Sequence, residues 1–193
     1  STVSDSHVNI PLSATNIEDA TALTFNDIKS LVFDSEKRLF VLDGVNIYKF
    51  DVDAVLTQNP AIRNVGRFLL TTIGGTGTNI YEKDTFGNPI SLRIGKHDKL
   101  YILDKKFKGF KIYDNNLNWI STAAKKVDFQ STNGTVVDLA VDTVTEYCYV
   151  LTDTGTVFEY DNNDKLVDTH TLDDRLMTDE AFKKMTFSKV DTD

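Results

Sequence analysis

The stretch "YILDKKFKGFKIYD" (101–114) is echoed twice elsewhere in the chain, as "FVLDGVNIYKFD" (40–51) and "YVLTDTGTVFEYD" (149–161). Each copy opens on an aromatic residue, aliphatics and a polar break, and closes on an aromatic residue followed by Asp. Aligned on Phe40, Tyr101 and Tyr149, the copies lie 61 and 48 residues apart; aligned on Asp51, Asp114 and Asp161, they lie 63 and 47 apart. A period of roughly 40–50 residues is that of propellers and helical repeats. The local pattern chooses between them.

Upstream of each echo lies another short apolar run and a polar turn: "SLVFDSEKRLFVLD" (30–43), "SLRIGKHDKLYILD" (91–104) and "DLAVDTVTEYCYVLTD" (138–153). Val, Ile, Leu, Phe and Tyr in short runs bounded by Asp, Gly, Lys and Thr predict strands and hairpins. The second run of each hairpin is apolar at consecutive positions, as in Leu39–Leu42 and Leu100–Leu103, which means a strand covered on both faces. The third runs, "NIYKF", "GFKIY" and "TVFEY", place Lys or Glu among aromatics and read as partly solvated. The fourth runs, "RFLLTTI" (67–73), "NWISTAA" (118–124) and "KLVDTHTL" (165–172), are more polar, as an outer edge should be. "DNN" at 114–116 and 161–163 supplies a tight turn between third and fourth strands, since Asn and Asp tolerate left-handed backbone.

Each unit is therefore a four-stranded antiparallel meander that cannot cover both of its own faces. Radial stacking against sister sheets solves that problem, so the expected fold is an all-β propeller. The units fall at about 25–73, 86–124 and 129–172. Partial strands are expected at 7–13 and 182–193, and a helical turn within 173–184 from the spacing of Leu176, Met177, Ala181 and Phe182. Three complete blades do not close an ordinary ring. Either the chain is an arc of a larger propeller, or its terminal pieces join, within one chain or between copies.

The stretch "TTIGGTGTNIYEKDTFGNPISLRIGKHDKLYILDKKFKGFKIYDNNLNWI" (71–120) resembles an NHL repeat. The resemblance is carried by Gly74, Gly75 and Gly77, then Phe86 and Pro89, then Tyr101, Ile102 and Asp104. It covers the middle unit well. The first unit reads "FNDIKSL" where the second reads "FGNPISL" and so lacks the Pro, and the third departs further. The resemblance implies a propeller and says little about activity, because propellers host many unrelated functions. Some NHL-like propellers are zinc- and calcium-dependent lyases with ligands around the central axis, which would imply a recurring axial His that this chain lacks.

Composition narrows the partners. The 193 residues carry a formal charge of −8 with a pI near 4.8, which disfavours phosphate backbones and anionic membranes. The single cysteine, Cys148, sits in the apolar run "EYCYVL" and reads as a buried small hydrophobe. The start, "STVSDSHVNI", has no basic-then-apolar signal, and no run approaches the roughly 20 apolar residues of a membrane helix. Localisation stays open, with a virion or an extracellular assembly among the settings.

Candidate chemistry is sparse. His7, His97 and His170 occupy three different contexts without ligand spacing and read as surface residues. Asp43, Asp104 and Asp153 recur after the second strand of every unit. As ligands they would give a calcium-binding ring; as turn residues they would accept backbone N–H bonds. Recurrence favours the turn role, for these and for Asp51, Asp114 and Asp161. "IGGTGTN" (73–79) lacks the Lys-Ser/Thr of a phosphate loop and reads as a connection between blades. "KKFKGFK" (105–111) is a basic cluster among aromatics. Lys105, Lys106 and Lys108 there, with Trp119, are the candidate ligand contacts, against the plainer reading of a solvated hairpin tip. No nucleophile motif such as G-x-S-x-G occurs.

These features point to a non-enzymatic interaction or structural module, without cofactor unless calcium binds. Its partners would be other proteins, further copies or remaining blades, with nucleic acid and membrane excluded. The Asn-, Asp- and Lys-rich, turn-heavy style is similar to that of phage virion and tail-associated proteins. The alternatives are a calcium-dependent hydrolase or lyase acting at the propeller axis, and a glycan binder using Trp119, Tyr81 and neighbouring aromatics.

Overall fold

The computed structural model describes residues 13–14, 23–52, 68–123 and 134–172. A two-stranded ribbon of β1 (Ser13–Ala14) and β2 (Leu23–Thr24) precedes three four-stranded antiparallel sheets. The first sheet is β3 (Ile28–Phe33), β4 (Arg38–Asp43), β5 (Asn46–Asp51) and β6 (Leu69–Gly74). The second is β7 (Pro89–Ile94), β8 (Leu100–Asp104), β9 (Gly109–Tyr113) and β10 (Trp119–Ala123). The third is β11 (Val136–Val141), β12 (Cys148–Thr152), β13 (Thr156–Tyr160) and β14 (Leu166–Thr171). Within each sheet neighbouring strands are consecutive in the chain, so each is a simple meander. Among the described residues no helix is long and apolar enough to cross a membrane. The expected helical turn at 173–184, the strand at 182–193, and 7–13 apart from Ser13 lie outside the described residues.

Two apolar layers glue the sheets face to face. Phe40, Leu42 and Ile47 of the first sheet cluster with Leu92, Leu100, Ile102 and Tyr113 of the second. Tyr101, Leu103, Phe110 and Ile112 of the second cluster with Leu139, Cys148, Val150, Phe158 and Tyr160 of the third. Successive residues of a strand point to opposite faces, so Leu100 and Ile102 reach one neighbour while Tyr101 and Leu103 reach the other. That is the physical sense of the unbroken apolar run in β8, whose five residues are all buried. Each fully buried Leu or Phe contributes about 1.5–3 kcal/mol. The three sheets are thus blades of a β-propeller, with β3, β7 and β11 packed in succession along its inner wall and β14 fully exposed at an outer edge.

The expectation of a partly solvated third strand holds for Glu159 in β13, which is partly exposed, and needs correction at the lysines. Every residue of β9 is buried, Lys111 completely, and Lys49 in β5 is 3% exposed. Both lysines lie between blades 1 and 2. Lys49 Nζ donates to the carbonyl of Asn115 and to Asn116 Oδ1 at 3.3 Å, pinning blade 1 to the blade 2 turn. Lys111 Nζ donates to the carbonyls of Glu82 and Thr85, the latter at 2.6 Å, and sits 5.0 Å from the Phe86 ring centroid. It ties β9 to the β6–β7 connection. Burial pushes the pKa of both ammonium groups down.

That connection begins with "IGGTGTN". Gly74 and Gly75 have φ of 151° and 125°, and a Cβ on Gly74 would lie 2.5 Å from the Val45 carbonyl oxygen. Only glycine lets the chain turn out of β6 this close to the β4–β5 turn. At the opposite end of the blades, the Ser35 amide and hydroxyl donate to the Asp98 carboxylate, joining the first turns of blades 1 and 2.

Candidate functional site

The inner strands enclose a cleft of about 370 Å³, walled by Ile28, Ser30, Ile90, Arg93, Val137 and Asp138 together with their neighbours. The strand registers place Ser30, Ser91 and Asp138 at one position of successive blades, paired with Leu42, Leu103 and Leu151. Arg93 Nη2 donates to both Asp138 oxygens at 2.7 and 2.9 Å, and Arg93 Nη1 to the Leu92 carbonyl at 2.8 Å. Ser91 Oγ donates to Asp138 Oδ1 at 2.6 Å, and the Leu139 amide donates to the same oxygen at 2.9 Å. Ser30 Oγ donates to the Leu92 carbonyl at 3.1 Å. Arg93 and Ser91 thus both bond Asp138 across blades 2 and 3, and Ser30 of blade 1 shares the Leu92 carbonyl with Arg93. A 2% exposed Asp138 already holding a guanidinium, a hydroxyl and an amide acts as a clamp between blades 2 and 3.

The cleft runs onto the face of blade 1 turned away from blade 2. Leu31 occupies the same register position as Leu92 and Leu139, opposite Val41, Ile102 and Val150. Leu92 and Leu139 are 0% exposed, each covered by the blade before it; Leu31 is 57% exposed, and its strand neighbour Phe33 is 50% exposed. Further out on the same face Val41 and Phe50 are 2% and 1% exposed and cluster with Phe25 and Tyr48, Phe25 lying 5.3 Å and edge-on from Tyr48, so the exposed part is the rim at Leu31 and Phe33. Exposed apolar rims of this kind mark contact surfaces.

The recurring aspartates are placed as follows. Asp43 accepts the amides of Asn26 and Asp27; Asp104 accepts those of Gly87, Asn88, Lys106 and Phe107; Asp153 accepts that of Thr135. Each carboxylate holds the start of its own blade's first strand to the turn after the second. Asp153 does so from one residue later, because Thr152 takes the register position of Asp43 and Asp104, opposite Val136. Asp114 accepts the amides of Asn116 and Asn118, and Asp161 those of Asn163 and Lys165, closing the two "DNN" turns. Asp51 ends β5 opposite Arg38.

Lys105, Lys106 and Lys108 are exposed on the β8–β9 turn. Trp119 pairs with Tyr113 at the far end of β9, so the structure does not gather these four residues at one place. The half-buried Trp119 ring lies under Lys83 Nζ at 5.1 Å, and its Nε1 donates to Thr122 Oγ1 at 3.0 Å. Tyr81 is 50% exposed in the β6–β7 connection. Cys148 is buried between blades 2 and 3, and burial pushes its thiol well above the ordinary range.

One constellation was missed by spacing alone. Among the described residues, Glu159, Asp168 and His170 bring one ligand atom each to within 4.8 Å of one another. Glu159 on β13 lies directly opposite Asp168 on β14, and His170 is two residues further along the same strand. The available signal was "DTH": an i, i+2 pair on a strand shares a face.

No family model and no curated protein sequence matches the chain. Its fold is similar to solved propellers. These include U3-55K, with a TM-score of 0.55 at 16% identity over 75% of this chain and 39% of that one. The RRP9 WD40 repeats match with a TM-score of 0.55 at 16% identity, over 75% of this chain and 38% of that one. A protein from Lactobacillus plantarum matches with a TM-score of 0.53 at 11% identity, over 75% of this chain and 41% of that one. The chain spans about two fifths of the length of these structures, and what it shares with them is the β-propeller architecture.

Proposed function

We propose that this chain is a non-enzymatic propeller module that works by contact, with the exposed Leu31–Phe33 rim of blade 1 and the adjoining cleft as its docking surface for another protein or for further blades. The observation that carries this reading is Leu31, 57% exposed where its two counterparts are 0% exposed. An apolar position that two blades bury and the third presents is built to be covered. The axial clamp supports a binding rather than a catalytic use, since Asp138 already holds Arg93, Ser91 and the Leu139 amide. We read the blades as NHL-like on the residues of the middle unit, and the module as part of a larger assembly, of which a phage virion or tail is the setting its composition resembles. A calcium-dependent hydrolase or lyase would instead need axial carboxylates free to bind a cation, and a glycan binder would need Trp119 and Tyr81 to act together.

The test is the double substitution Leu31→Glu and Phe33→Ser, compared with wild type by hydrophobic-dye fluorescence, sedimentation over a concentration series and thermal melting. Reduced dye binding and self-association at an unchanged melting temperature support a contact surface. A double variant that melts as early as a core variant would show the face to be interior packing and end the reading.

A further inference from the structure

The outer edge of blade 3 carries a ligand set independent of the docking face. β14 is exposed along its whole length, so what it displays is open to solvent. His170 Nε2 lies 2.7 Å from Glu159 Oε2 and 3.9 Å from Asp168 Oδ2. All three ligand atoms fall within 4.8 Å of one another. A tetrahedral first-row cation with bonds of about 2.0–2.2 Å separates its ligand atoms by roughly 3.3–3.6 Å. The two distances to His170 bracket that value, so a modest rotation of exposed side chains brings the three atoms to it.

We propose that Glu159, Asp168 and His170 form a surface site for a divalent transition-metal ion of the zinc class, with one imidazole nitrogen, two carboxylate oxygens and a solvent-facing open position. Three features support it. The ligand types differ: an imidazole beside carboxylates selects zinc, cobalt or nickel over calcium and magnesium, which prefer all-oxygen shells. The register fixes the set, because Glu159 and Asp168 are cross-strand partners and His170 follows Asp168 by two residues, so all three share one face of the sheet. Finally, the site has an outer support: Tyr149 on β12 donates its hydroxyl to Glu159 Oε1 at 3.4 Å, the kind of partner that holds a ligating carboxylate in place.

Binding competes with a proton. The hydrogen bond to Glu159, with Asp168 nearby, raises the His170 pKa, so the resting imidazole is more protonated than a free one. The metal takes the Nε2 lone pair and the proton leaves to buffer. Affinity therefore rises with pH as His170 deprotonates; the other titratable groups at the site are Glu159, Asp168 and Tyr149.

The test is calorimetric titration of the full chain with Zn²⁺ at two pH values, with Ca²⁺ as contrast, and the visible absorption of Co²⁺ as a readout of ligand geometry. His170→Ala is the loss variant, and circular dichroism checks its fold. The expected result is one Zn²⁺ per chain, released protons and weaker binding at lower pH. Loss of an outer-shell partner alone weakens metal sites by roughly 10–100-fold, so His170→Ala should weaken Zn²⁺ at least that much. Equal Zn²⁺ affinity in the folded variant, no Zn²⁺ binding in wild type, or Ca²⁺ binding as tight as Zn²⁺ would each overturn the assignment.

Discussion

Replacing Lys111 by Met asks whether a buried lysine clamps the blade connection or is only tolerated there. Met matches Lys in length and volume, so the substitution opens no cavity and isolates the ammonium. Lys111 is 0% exposed and donates to the carbonyls of Glu82 and Thr85. Hydrogen bonds from a charged donor contribute about 1.5–3 kcal/mol each, which gives about 3–6 kcal/mol for two. Removing the charge returns part of this, because burial disfavours the ammonium and lowers its pKa. The orphaned carbonyls keep the balance unfavourable, and the expected net loss is about 2–4 kcal/mol. For a chain of this size that lowers Tm by roughly 4–16 °C. Urea unfolding followed by tryptophan fluorescence provides the assay. Trp119 stands next to Tyr113 in the same blade, beneath Lys83, and so reports on the region that should loosen. A Met variant as stable as wild type, or more stable, would refute the clamp and show that the lysine is the weaker choice for that site.

Three further outcomes are expected. Tyr113 and Tyr160 occupy the same position of blades 2 and 3, yet the Tyr113 hydroxyl donates to the Lys83 carbonyl while Tyr160 Oη is buried without a partner among the described residues. Tyr113→Phe should therefore destabilise by about 1 kcal/mol and Tyr160→Phe should be neutral or stabilising; equal losses by thermal melting would contradict this. Asp138→Ala removes the carboxylate partner of Arg93 and Ser91 at the inner wall and should destabilise by about 3–5 kcal/mol, seen as a lower urea midpoint; a loss below 1 kcal/mol would remove the clamp from the account. Burial raises the pKa of Tyr101, Tyr113 and Tyr160. Their contribution is complete below the unfolded value of about 10 and is lost as pH rises above it. Lys49 and Lys111, with lowered pKa, act in the opposite sense, their contribution growing as pH rises towards about 10.4. Stability should therefore climb gently on the alkaline side of neutrality and fall beyond pH ~10, and the climb should shrink in Lys111→Met.

The sequence by itself determined the blades. Strand runs and turn residues are local, and their triple occurrence made the meander legible: the unbroken apolar run Leu100–Leu103 required a strand covered on both sides, and Asp114 and Asp161 announced the turns they close. What local pattern could not carry is how blades meet. Lys111 reads as a solvent-facing residue because its own strand gives no hint that the Glu82 and Thr85 carbonyls arrive above it from 29 and 26 residues away. Arg93 and Asp138 are 45 residues apart, and Glu159, Asp168 and His170 converge only through the register between β13 and β14. Leu31 and Leu92 are the same residue in the same phrase, and only the stacking of one sheet on the next leaves the first exposed and covers the second. Strand formation depends on neighbours in sequence, but burial, ion pairing and ligand geometry depend on neighbours in space, and those the tertiary structure alone decided.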